Sequence, residues 1–107
     1  MKLLTKEIKR KAEKQYLGGS SLDSQNVVAK FFDPTGSWSW YLMNLDPKDN
    51  SYAWGIVKGY EIEMGSFSMT ELQEYRGKFG LGIERDLYFR PMPAREVWDK
   101  LNRGEHI

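Results

Sequence analysis

Few residues of this chain are suited to catalysis. The only histidine, His106, stands one residue from the C-terminus, and there is no cysteine. A general base, a nucleophile or a metal ligand must be held in a fixed geometry, which a side chain at a fraying end does not provide. The lack of cysteine also excludes a disulfide framework and a thiolate zinc site. We therefore expect no catalytic residue, metal ion or cofactor, and we rank a metal-assisted hydrolase built on carboxylates as the last alternative.

Two carboxylates have a spacing that suits either chemistry or recognition. Glu61 and Glu63 are two residues apart in a predicted strand, so both side chains are expected on one face. An acid pair or a cation site is one interpretation of this spacing. Because the two residues alternate with Ile62 and Met64, an ordinary solvated strand face is favoured. As an acidic face, the pair is a candidate contact for another protein.

Five aromatic residues fall on two consecutive predicted strands. Such a face can stack nucleobases, but stacking sites normally interleave basic residues, and Lys58 is the only cation on these two strands. Core packing is therefore favoured for most of the five. One or two are predicted partner contacts, because Trp and Tyr are enriched at binding hot spots, and Trp38 and Trp54 are the candidates. The five residues are Trp38, Trp40, Tyr41, Tyr52 and Trp54.

Arg85 and a glycine-rich segment are two further candidates. We expect Arg85 to pair with Asp86 of a neighbouring strand, and the alternative is that its planar guanidinium contacts a partner. Residues 77–82 are rich in glycine but lack the residue order of a phosphate loop and of a dinucleotide-binding fingerprint. Their glycines are expected to shape a loop.

Charge is unevenly distributed, although the net charge is only +1. Residues 1–14 carry six basic and two acidic side chains, whereas residues 44–74 carry six acidic and two basic ones. The basic side chains spread over most of the exposed circumference of the first predicted helix, which favours a solvated surface over nucleic-acid contact. The candidate phosphate contacts are Lys6, Lys9, Arg10, Lys11 and Lys14.

Capping and turn residues divide the chain into the elements that would position these candidates. Thr5 and Ser68 have the positions of helix N-caps, and Glu71 completes a capping box with Ser68. The predicted order is a helix over residues 5–15, strands over 27–32, 37–45, 52–60 and 61–67, a helix from 68 to about 76 with Gly77 as its C-cap, a strand over 86–90, and a helix from Pro93 with residues 103–107 fraying.

This order predicts one domain covering residues 1–107. Hairpin-connected strands with helices outside the run indicate an α+β fold, with an antiparallel sheet of about five strands and the helices packed on one face. No segment has the roughly 20 apolar residues of a membrane span, and the beginning of the chain lacks the apolar core of a signal peptide. A cytoplasmic location is therefore expected. An exposed edge strand would allow a homodimer as well as a monomer.

Several short motifs, taken in order, resemble one known family. They are Leu-Leu-Thr-Lys-Glu at 3–7, Lys-Phe-Phe-Asp-Pro at 30–34, Trp-Ser-Trp-Tyr at 38–41, Gly-Tyr-Glu-Ile-Glu-Met-Gly-Ser-Phe-Ser at 59–68, Glu-Leu at 71–72, Arg-Gly at 76–77 and Gly-Leu-Gly-Ile-Glu-Arg-Asp-Leu-Tyr-Phe at 80–89. The ordered set resembles the domain of unknown function 2958 (DUF2958) family over nearly the whole chain, with Gly82 standing where the family more often has proline. The resemblance implies a small bacterial protein carried on plasmids, integrative elements and phages, without a known activity or catalytic residues.

The charge is unevenly distributed along the chain, and no residues suited to catalysis were found. Both observations favour a binding function over catalysis. We expect a small non-enzymatic binding protein of a mobile genetic element, with a host or defence-system protein as its partner. By association alone, inhibition of a CRISPR or restriction complex is a hypothesis. The alternative is a nucleic-acid-binding accessory protein that uses the basic N-terminal helix. The predicted partner contacts are Glu61, Glu63, Trp38, Trp54 and Arg85.

Overall fold

The computed structural model describes all 107 residues and contains three α-helices and seven β-strands. Two short 3-10 turns, at Tyr16–Gly18 and Lys78–Gly80, supplement them. The helices are α1 (Lys6–Lys14), α2 (Met69–Glu74) and α3 (Ala94–Asn102). The strands are β1 (Asn26–Val27), β2 (Ala29–Phe32), β3 (Ser39–Asp46), β4 (Asp49–Lys58), β5 (Ile62–Ser68), β6 (Glu84–Arg85) and β7 (Met92–Pro93).

Five of the strands form one antiparallel sheet in the order β5-β4-β3-β2-β6. The two remaining strands, β1 and β7, form a separate antiparallel pair. The predicted α+β class and the antiparallel sheet of five strands are confirmed. None of the helices has the length and apolar character required to cross a membrane.

The helices lie on both faces of the sheet, although they were expected on one face. A first face, with Leu42 at its centre, is covered by α1 and α2 through Ala12 and Leu72. The second face, which includes Tyr41, is covered by α3. The reason lies in β3, whose residues from Tyr41 to Leu45 are all buried. A strand that is apolar on both sides must be covered on both sides.

The capping residues in the sequence correctly predicted where the helices begin, but not where α2 ends. The Thr5 hydroxyl accepts from the Ile8 amide at 3.1 Å, as an N-cap should. Gly77, predicted as the C-cap of α2, lies beyond the helix, which ends at Glu74. The Arg76 guanidinium instead donates to the carbonyls of Gln73 and Tyr75 at 3.1 and 2.7 Å. A basic side chain thus satisfies free carbonyls at the helix end, as a glycine cap would otherwise do.

The prediction of a strand over residues 86–90 is wrong. The strand at this point is β6, which is only two residues long and pairs with Phe31 and Phe32 of β2. After it the chain turns, because the Asp86 carboxylate accepts from the Tyr88 amide at 2.9 Å. An aspartate that bonds the backbone two residues ahead favours a turn over an extended strand.

Residues 27–32 form two strands where one was expected. The Val28 amide still bonds the Leu42 carbonyl at 2.8 Å, but Val27 turns to pair with Met92 of β7. Val27 therefore leaves the five-stranded sheet and pairs with β7, the strand that leads into α3.

Residues 103–107 were expected to fray, but Ile107 at the end of this segment packs against the second face. Gly104 leaves α3 with a φ of 81°, the left-handed conformation that glycine adopts readily. The carbonyl of Ile107 then accepts from Lys30 Nζ at 2.6 Å and from the Tyr41 hydroxyl at 3.0 Å. Tyr41 is buried and Lys30 is half-buried, so both donors need an acceptor, and Ile107 provides it.

Candidate protein-binding surface

Three aromatic rings meet at the end of the sheet where β3 begins. The Trp38 ring lies 6.1 Å from the Trp40 ring and 5.5 Å, edge to face, from the Tyr60 ring, centroid to centroid. Trp38 also covers Gly59, since a Cβ at that position would fall 2.5 Å from the indole. Tyr60 is 96% exposed and Trp38 is 36% exposed. We call Trp38, Trp40 and Tyr60 the aromatic cluster.

The strand register places an acidic residue on the face of this cluster. Val57 of β4 is paired with Trp40 on one side and with Glu63 of β5 on the other. Residues directly paired in an antiparallel sheet point to the same face, so Glu63 and Trp40 share the first face. Glu61 precedes β5 and belongs to the turn, where its carbonyl accepts from the Gly59 amide at 3.0 Å.

The two glutamates are therefore not a pair of carboxylates on one strand, because only Glu63 lies in β5. Both side chains are exposed. No three His, Asp or Glu side chains of the chain come close enough together to hold a metal ion. Glu61 and Glu63 instead add negative charge beside the exposed aromatic rings.

A groove of about 310 Å³ opens beside the aromatic cluster. Leu72 of α2 and Ile83 are buried and form its floor. Aromatic side chains and two carboxylates provide the walls. We call this feature the aromatic groove, and it is lined by Asp33, Trp38, Trp40, Glu71, Leu72, Tyr75 and Ile83.

A closed loop borders the aromatic groove and displays an apolar side chain. Residues 77–81 connect the groove residues Tyr75 and Ile83, and the Gly77 amide closes the loop by donating to the Leu81 carbonyl at 2.8 Å. Phe79 within it has a φ of 60° and is 92% exposed. This left-handed conformation costs a non-glycine residue about 1 kcal/mol or more. The strained loop thus holds a large apolar ring in solvent beside the groove.

Trp54 lies away from the aromatic cluster. Its register partners are Asn44 and Ser66, and it packs half-buried on the second face of the sheet. Its indole nitrogen is buried and has no hydrogen-bond partner. Trp54 lines a different depression, of about 480 Å³, together with Tyr52. The two tryptophans proposed as partner contacts are therefore on opposite faces.

Arg85 serves an internal role. Its guanidinium Nη1 donates to the carbonyls of Lys2 and Leu3 at 2.6 and 3.0 Å, which fastens the N-terminal segment to β6. It does not pair with Asp86, whose carboxylate faces Lys30 at 3.9 Å. Arg85 does not line the groove beside the aromatic cluster and is not part of the candidate surface.

The basic residues of α1 point in several directions, as expected from their spacing. Lys11 pairs with Glu7 at 3.1 Å, one turn earlier. Lys6, Arg10 and Lys14 are exposed and form no ion pair. Lys9 is half-buried and lines a shallow polar groove of about 320 Å³. The helix therefore offers three free cations but no concentrated patch.

Sequence reasoning missed five residues of this surface. Tyr60 and Phe79 carry a local signal, because each is a large aromatic residue in a glycine-containing turn, where burial is difficult. Asp33 lies in the turn that precedes β3, and its amide donates to the Trp38 carbonyl at 3.1 Å, so its proximity to Trp38 is local. Tyr75 and Glu71 carry no local signal, because they meet Trp38 only through the packing of α2 against the sheet.

The fold defines a small α+β domain built on a five-stranded antiparallel sheet. The family model "Protein of unknown function (DUF2958)" matches residues 2–105, and the chain belongs to this family. No curated protein matches the chain. No solved structure matches it.

Proposed function

We propose that this protein is a non-enzymatic binding protein of a mobile genetic element, which acts in the cytoplasm by contacting another protein. The observation that carries the proposal is the aromatic cluster, in which Trp38 and Tyr60 stand exposed beside an open groove. Exposed Trp and Tyr side chains that are already ordered by their neighbours lose little entropy on binding. They are therefore efficient hot-spot residues.

The charge of the surface indicates the type of partner. Glu61 and Glu63 flank the aromatic cluster, and neither forms an ion pair. An acidic surface steers and selects a basic one. Proteins that bind nucleic acid, among them CRISPR and restriction complexes, present such Lys- and Arg-rich surfaces. An acidic aromatic face can occupy a surface of this kind and exclude the nucleic acid, which supports an anti-defence role.

Charge reversal on this face tests the proposal. The protein is immobilised, a partner is captured from a host that carries a defence system, and the purified partner is titrated against variants. We expect the double variant Glu61→Lys and Glu63→Lys to bind at least about tenfold more weakly, because attraction to a basic surface becomes repulsion. Trp38→Ala should weaken binding by a similar factor through loss of an anchor. The affinities are measured by biolayer interferometry.

A double charge reversal on the other face controls for the change in net charge. Glu96 and Asp99 are exposed on α3, on the second face, and neither forms an ion pair. The double variant Glu96→Lys and Asp99→Lys, which changes the net charge by the same amount, should leave the affinity within about twofold of the original value. Equal affinity of the Glu61→Lys/Glu63→Lys variant and the unchanged protein would refute the proposed surface. Circular dichroism of each variant confirms that the fold is retained.

Nucleic-acid binding through α1 is the second candidate, and the free cations Lys6, Arg10 and Lys14 favour it. Fluorescence anisotropy with single- and double-stranded oligonucleotides at low salt tests this function. If α1 binds nucleic acid, the affinity should fall steeply as the salt concentration rises. The affinity should also be lower in the triple variant in which Lys6, Arg10 and Lys14 are changed to Glu. The absence of any anisotropy change at low salt would remove this candidate.

A further inference from the structure

We propose that the aromatic groove is a receptor for one arginine side chain of the partner. The inference rests on the proposed protein-binding function and specifies the residue chemistry that the surface selects. The groove combines an apolar floor, aromatic walls and unpaired carboxylates. An arginine has the complementary parts: an apolar stem, a planar cation that stacks on aromatic faces, and a fork of donors.

The dimensions and the floor of the groove suit a side chain. Its volume of about 310 Å³ is at the lower end of the range of roughly 300–1,000 Å³ that is typical of ligand sites. Leu72 and Ile83 form a floor on which the methylene stem of an arginine can be buried. The indoles of Trp38 and Trp40 and the ring of Tyr75 offer aromatic faces to the guanidinium.

The Asp33 carboxylate is fixed in place and keeps one oxygen free. The Thr35 amide and hydroxyl both donate to Oδ1, at 3.0 and 3.1 Å. Oδ2 receives no hydrogen bond and faces no Lys or Arg within ion-pair distance. Asp33 therefore lines the groove as an ordered carboxylate that has no ion-pair partner in the protein.

The Glu71 carboxylate is free because the capping box is only half formed. Ser68 Oγ accepts from the Glu71 amide at 3.1 Å, but the Glu71 side chain does not return to the Ser68 amide. Ser68 is the last residue of β5 and is paired with Tyr52 in the sheet, so its backbone is already engaged. The carboxylate predicted to cap α2 is therefore available to a cation.

No basic side chain of the protein itself enters the groove. All seven lining residues are acidic, aromatic or aliphatic. Arg76, which follows Tyr75, is held on the carbonyls of Gln73 and Tyr75. Two carboxylates beside aromatic faces thus lack a compensating charge, which is the arrangement that recognises an incoming guanidinium.

Nuclear magnetic resonance of the four tryptophan indoles tests the inference directly. The ¹⁵N-labelled protein is titrated with N-acetyl-argininamide, with its neutral isostere N-acetyl-citrullinamide, and with N-acetyl-lysinamide. We expect the arginine probe to shift the indole signals of Trp38 and Trp40 saturably, with a dissociation constant in the millimolar range. Trp54 and Trp98, which lie on the second face, should not respond. The citrulline probe should produce no saturable shift, and the lysine probe should bind more weakly.

A matched pair of double variants identifies the carboxylates. Asp33→Asn with Glu71→Gln should weaken arginine binding at least about fivefold, because the neutral amides no longer attract the cation. Asp49→Asn with Glu74→Gln removes the same charge outside the groove and should leave the binding unchanged. Equal shifts with citrulline, tighter binding of lysine, or no effect of the groove variant would overturn the inference, as would an absence of shifts at Trp38 and Trp40.

This result is separable from that of the proposed function. If the arginine probe fails while Trp38→Ala and the charge reversals still weaken partner binding, the surface is correct and the arginine anchor is wrong. If the probe binds but partner affinity is the same in every variant, the groove is real and the proposed protein-binding surface is wrong.

Discussion

Replacing Gly55 by alanine is expected to lower the free energy of unfolding by about 3 kcal/mol or more, at the upper end of overpacking costs. A Cβ at Gly55 would lie 1.9 Å from the backbone carbonyl oxygen of Tyr41, and a main-chain atom in the middle of the sheet cannot move aside. The close approach is part of the β3–β4 pairing, whose register shifts between Leu42 and Asn44. Urea unfolding followed by circular dichroism measures the loss.

Gly65 provides a matched control for this substitution. It is the direct cross-strand partner of Gly55, in β5, and a Cβ there would meet no atom within 4 Å. Gly65→Ala should therefore change the free energy of unfolding by less than about 1 kcal/mol. A Gly55→Ala variant as stable as the Gly65→Ala variant would contradict the described pairing of β3 with β4. This pairing positions Trp38 and Trp40 over β4, so the prediction also tests the scaffold of the surface.

Raising the pH from about 10 to 12 is expected to remove about 2–3 kcal/mol of stability through Tyr41. Burial raises the pKa of the Tyr41 hydroxyl from 10.0 to about 12. The folded state therefore retains this proton over a range in which the unfolded state has lost it. The contribution is fully present below pH 10, falls as the pH rises, and is lost near the folded pKa. Urea titrations at fixed pH values, followed by far-ultraviolet circular dichroism, measure it.

The Tyr41→Phe variant isolates this effect from that of Lys30. Burial lowers the pKa of Lys30, so this residue acts with the opposite sign: stability increases with pH as the buried ammonium loses its proton. Lys30 remains in both proteins, and the difference between them reports Tyr41. That difference should decrease by about 2–3 kcal/mol between pH 10 and 12. A constant difference over this range would contradict the buried, protonated hydroxyl.

The sequence predicted those features of the fold that depend on neighbouring residues. The N-caps Thr5 and Ser68 were located because a capping hydroxyl acts within three residues of its own position. The turns before and after β3 were located because turn chemistry is local, whereas the turn at residues 59–61 was not predicted. The pairing of β6 and the docking of Ile107 depend on contacts between distant parts of the chain. The hydrogen-bond partners in these features are determined by tertiary packing, and a local sequence pattern carries no information about it.

The candidate surface was predicted only in part, for the same reason. Trp38 and Glu63 were both singled out, but only the register through Val57 shows that Glu63 shares the face of the aromatic residues. Trp54 was grouped with Trp38 because both are tryptophans on neighbouring predicted strands, and tryptophan is enriched at binding hot spots. A register shift beside Asn44 and the packing of α3 place Trp54 on the second face. The aromatic groove is built from four separate segments and has no counterpart in the sequence pattern.

The central claim is that a partner protein binds the first face at the aromatic cluster. Amide hydrogen exchange of the protein, alone and in complex with its captured partner, tests it most directly. We predict slower exchange in the complex over residues 38–40, 59–63 and 75–83, and unchanged exchange over α1 and α3. Slower exchange confined to α1, or to the face that carries Trp54, would contradict the claim.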